Sequence, residues 1–138
     1  MNARERQLSI YAGEDAALGE AGRSFRDMRE VRAYIDDLVS SEWWAERWPH
    51  VDAIPVGRTR STRFEGYAVQ ASGEIRVGNL RESVVLHEIA HIVTPGAGHS
   101  PAFVEALLAL VRERLGFHAY GALLAELRRR DLVGRERR

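Results

Sequence analysis

The chain has 138 residues, no cysteine, and twenty basic residues against twenty acidic ones. That length suits one domain with a single core, the missing thiols exclude a disulfide framework and every sulfur-ligated metal site, and the balanced charge removes any global field toward nucleic acid or anionic lipid. A composition of 45% hydrophobic and 29% charged residues excludes wholesale disorder.

The N-terminal stretch MNARERQLSIYAGEDAAL is charged from Arg4 onward and carries no apolar run of the signal-peptide kind. No segment approaches the roughly 18 apolar residues of a membrane span, so a cytoplasmic protein with no membrane partner is expected. From Ser24, the spacing of Phe25, Met28, Val31, Ile35 and Leu38 predicts an amphipathic helix capped by Ser24 and ending near Ser40. EWWAERWP then predicts a short helix stopped by Pro49, with Trp43, Trp44 and Trp48 assigned to the core.

Between Ala53 and Asn79, short β-favouring runs broken by Gly and Ser predict two or three antiparallel strands. ASGE is the turn between GYAVQ and EIRVG, with Tyr67 and Val69 sharing a face, as do Ile75 and Val77. Asn79 as cap and Glu82 at the capping-box position start a helix that Pro95 and Gly96 end. Ser100 and Pro101 open a further helix that stops at Gly116, and a last one covers about Ala119 to Arg130. The closing LRRRDLVGRERR, six arginines against two acids, reads as a solvated basic tail over about 126–138. The expected fold is α+β in one domain, 1–138: an N-terminal helix, a small antiparallel sheet, a helix carrying HEIAH, and two C-terminal helices.

VLHEIAHIVTPGAGHSPAF gathers three of the five histidines. On a helix, His87 and His91 lie four apart on one face, so their imidazoles can converge on a metal ion. Glu88 is turned by about 100° from His87, beside such an ion rather than on it, where a general base belongs. Catalytic zinc usually takes three protein ligands and leaves a fourth position for water. Through PGAG the chain can reverse and bring in His99; Glu105 or Glu113 from the next helix would be the alternative third ligand. Three nitrogens and a glutamate base favour zinc over iron or manganese.

HEIAH followed by GHSPAF resembles the active-site region of the SprT-like minimal zincin metalloproteases. The whole chain, through SIYAGEDAAL, SFRDMREVRAYIDDLVSSEWWAERWP and the histidine block, resembles a family of small actinobacterial H-E-x-x-H metallohydrolases. The resemblance implies a zincin-like fold, one zinc ion on His87, His91 and His99, and Glu88 as the catalytic glutamate. Peptide deformylases fit less well because they need a cysteine ligand, and metzincins because both methionines, Met1 and Met28, precede the motif.

The expected function is therefore a zinc-dependent peptidase or amidase in which Glu88 acts as general base on a zinc-bound water. The alternative is a zinc-containing binding or regulatory module with little or no hydrolysis. EIRVG is expected as the strand that pairs with an extended peptide or protein substrate, or merely as a sheet edge. Tyr67, Arg81, His118 and Tyr120 are candidate oxyanion donors with none preferred, and His50 is expected in a loop. SprT-like relatives imply protein substrates on DNA, with which the arginine-rich end is compatible, although no nucleic-acid-binding motif is present.

Overall fold

The computed structural model describes residues 1–61 and 65–134. Their contacts gather them into two compact units, Arg23–Gly96 and the pair of segments Met1–Gly22 and Ala97 onward. Among the described residues there are six helices and a three-stranded sheet, an α+β content as expected. None of the helices is long and apolar enough to cross a membrane.

The unit Arg23–Gly96 holds α2 (Met28–Val39), α3 (Glu42–Arg47), β1 (Val56–Arg58), β2 (Gly66–Val69), β3 (Glu74–Val77) and α4 (Glu82–Val93). Val31, Ile35 and Leu38 form the buried stripe of α2, which packs against β1. Its cap is Asp27, whose carboxylate accepts from the Glu30 N–H, and not Ser24, which is drawn into an isolated bridge with Arg81. In α3 the Ser41 hydroxyl caps the Trp44 N–H. Of the three tryptophans only Trp44 is fully in the core, its indole N–H donating to the Val51 carbonyl at 2.6 Å. Trp43 and Trp48 are half-buried and meet edge to face.

The sheet corrects two expectations. Its order is β1-β3-β2, and β1 runs parallel to β3, so the sheet is mixed rather than antiparallel. A parallel partner needs a crossover, and the hairpin of β2 and β3 lies in sequence beyond the chain that leaves β1. EIRVG is consequently the central strand, hydrogen-bonded on both sides, and its Ile75 and Val77 are fully buried. The hairpin itself is as expected, with Gly73 at φ +67° donating to the Val69 carbonyl. Tyr67 pairs with Arg76 on one face of the sheet, while Ala68 and Ile75 pair on the other.

Helix α4 packs on β2 and β3, and every residue from Val84 to Ala90 is buried. The expected Asn79 cap and capping box do not form. The cap position is Arg81, without a side-chain bond, because Asn79 is turned to Glu65 and Glu82 is buried. The Glu82 carboxylate accepts from the Tyr34 hydroxyl at 2.5 Å and from the Arg23 N–H at 3.1 Å, which compensates its burial. At the other end, orphan carbonyls are met by side chains: Thr94 Oγ1 donates to Ala90 and Gln70 Nε2 to His91.

The other unit holds α1 (Ala3–Leu18), α5 (Pro101–Leu115) and α6 (Phe117–Arg129). Helix α1 is additional to the helices expected. It opens on a capping box of Asn2 and Glu5 and buries Ile10, Gly13 and Leu18. A Cβ at Gly13 would stand 3.2 Å from Leu127 Cδ2, so the glycine permits the close packing of α1 on α6. Helix α5 starts at Ser100 and Pro101 and ends at Gly116 with φ +95°, as expected. Helix α6 ends at Arg129, one residue from the expected Arg130, and closes in a Schellman motif where the chain was expected to run on as a solvated tail. Leu132 N–H bonds the Leu127 carbonyl, Asp131 N–H bonds that of Arg128, and Asp131 adopts φ +59°. Leu127 and Leu132 are both buried, and residues 135–138 lie outside the described part.

Candidate metal centre

His87 and His91 lie on successive turns of α4, their ring centroids 5.0 Å apart and their planes inclined at 67°. The apolar residues around them bury the helix on nearly all sides, so His87 is 3% exposed and Glu88 4%. Glu88 extends past the β2 backbone: a Cβ on Gly66 would stand 3.2 Å from Glu88 Cγ and 3.2 Å from Val84 Cγ1. Only glycine there lets strand and helix approach this closely.

His99 lies in the turn between Ala97 and Ser100, which the Ser100 N–H closes on the Ala97 carbonyl at 3.1 Å. Gly96 and Gly98 take φ of +75° and +58°, the left-handed geometry expected of the PGAG reversal. Arg6 Nε donates to the His99 carbonyl. The imidazole meets the Phe103 ring edge to face at 4.9 Å and the Tyr11 ring at 5.7 Å.

One ligand nitrogen from each of His87, His91 and His99 lies within 4.8 Å of the other two, so these three close-set histidines could hold a metal ion. Three imidazoles suit a transition metal, not the oxygen-seeking magnesium or calcium.

The alternative ligands Glu105 and Glu113 are exposed on α5 and lie outside this group. His50 and His118 are exposed as well. Among the oxyanion candidates, Arg81 is taken up as the cap residue of α4, Tyr67 is 39% exposed on the sheet face it shares with Arg76, and Tyr120 sits on α6. Four residues that touch the site were absent from the sequence reading: Arg6, Tyr11, Gly66 and Gln70. For the glycine alone a local signal existed, since an isolated glycine in a strand pattern marks a close backbone approach. Comparison with protein-family models, with curated proteins and with solved structures gives no match.

Proposed function

We propose that the protein is a zinc-dependent hydrolase of the zincin type, a peptidase or amidase acting on a peptide or protein substrate. The observation that carries this reading is the three-histidine group with a buried carboxylate, Glu88, on the same helix as two of its members. A purely structural zinc site has no need of a carboxylate beside an open coordination position.

When bound, zinc supplies Lewis acidity to a water and to a carbonyl oxygen. His87, His91 and His99 hold it. Glu88 accepts the proton of the attacking water and passes it to the leaving amine. Glu88 is 4% exposed beside Val84 and the Gly66 backbone, and limited hydration strengthens charge interactions there. An extended substrate would add to β2, not β3. Among the described residues β2 bonds only β3, so its other edge is available, and the strand passes Glu88 at Gly66.

Elemental analysis of the wild type, His99→Ala and Glu88→Gln tests this reading. One zinc per chain is expected in the wild type and in Glu88→Gln, with much weaker retention in His99→Ala. Wild-type hydrolysis of a peptide library, lost at least 10²-fold in Glu88→Gln, completes the expectation. Metal bound equally by all three proteins would remove His99 from the ligand set. Metal with no hydrolysis by the wild type would favour a zinc-containing binding module.

A further inference from the structure

We propose that Arg6 and Tyr11 of α1 are positioning residues for His99; this rests on the zinc reading above. His87 and His91 are oriented by a buried helix, whereas His99 stands on a turn flanked by two positive-φ glycines. Glycines allow the reversal but do not fix it, and a ligand 1 Å out of place binds metal poorly. The Ser100–Ala97 hydrogen bond closes the turn, and contacts from outside it bear on the carbonyl and the ring of His99.

Helix α1 supplies these contacts at both ends of the residue. Arg6 Nε donates to the main-chain carbonyl of His99, which pins the turn. The Tyr11 ring lies edge to face with the imidazole at an interplanar angle of 66°, which limits its rotation, together with Phe103 at 82°. Among the described residues, Arg6 Nη2 is buried with no hydrogen-bond partner. Partners of metal ligands commonly contribute 10–100-fold in affinity.

The test compares wild type, Arg6→Met, Arg6→Lys, Tyr11→Phe and Tyr11→Ala. Zinc Kd is read by competition with a chromophoric chelator, cobalt(II) coordination by its d–d absorption, and folding by circular dichroism. Met keeps the aliphatic stem without a donor, and Lys restores one donor. Arg6→Met is expected to raise the zinc Kd about 10–100-fold and to shift and broaden the cobalt bands while leaving helix content unchanged. Arg6→Lys should recover much of that affinity. Tyr11→Phe, which keeps the ring, should bind zinc more tightly than Tyr11→Ala, which should weaken binding. Wild-type affinity and cobalt spectrum in a folded Arg6→Met protein would overturn the proposal and leave the zinc reading standing. A wild type that takes up neither zinc nor cobalt would overturn both. If Arg6→Met fails to fold, Tyr11→Ala decides: wild-type zinc affinity and cobalt spectrum in a folded Tyr11→Ala protein would refute the positioning role.

Discussion

Gly66 has a Cβ position that is already taken. Besides Glu88 and Val84, a side chain there would come within 3.0 Å of the Arg76 carbonyl oxygen, a backbone atom of the neighbouring strand that has little room to yield. Gly66→Ala should therefore lower stability by about 1–3 kcal/mol and reduce hydrolysis by displacing Glu88. It should leave zinc binding close to wild type, since the contact is with the carboxylate's helix position and not with an imidazole. Chemical denaturation and chelator competition on one preparation check both halves. Weakened zinc binding at unchanged stability would contradict this account.

Among the elements, the end of α6 carries its own prediction. Asp131 is the residue in the left-handed region that closes the Schellman motif. An L-residue there is strained by roughly 1–2 kcal/mol, less for Asp, and the added unfolded-chain freedom of glycine offsets part of the relief, so Asp131→Gly should stabilise by under about 1 kcal/mol. A rise in melting temperature checks it, and a fall would mean that the Asp131 side chain contributes more than its backbone costs. This ending was hidden in sequence because six arginines against two acids look solvated; the clue was Leu132, spaced to return onto Leu127. Helices α4 and α5 were legible because apolar periodicity, Pro101 and Gly116 agree with one another. Helix α1 was not legible, with only three buried residues in sixteen and its packing decided by distant α6. The strand order was equally non-local: nothing near Val56 announces a parallel partner at Ile75. The cap of α4 was misread because Glu82, apt for a capping box, was claimed by Tyr34.

At the level of the molecule, the unit containing α1, α5 and α6 is assembled from both ends of the chain. No shift of composition along the sequence could mark such a unit. The candidate ligands were legible for the opposite reason, since His87, His91 and His99 all fall within one short stretch and their spacing is chemistry in itself. Their supports, Arg6 and Gln70, are 93 and 21 residues distant from what they hold and could come only from the fold.

The chain's lack of cysteine makes its relation to metal a matter of protons rather than of electrons. With Met1 and Met28 as its only sulfur atoms, it has no thiolate whose oxidation would eject a bound ion. Imidazole ligates as the neutral ring, so protons compete with the metal for it. Peroxide at doses that empty thiolate-ligated centres should leave zinc in place, and acidification from about pH 7.5 to 5 should release it, both followed with a chromophoric chelator. Release by peroxide at neutral pH would contradict this account. A hydrolase built this way would stay active through oxidative stress and fall silent in acid.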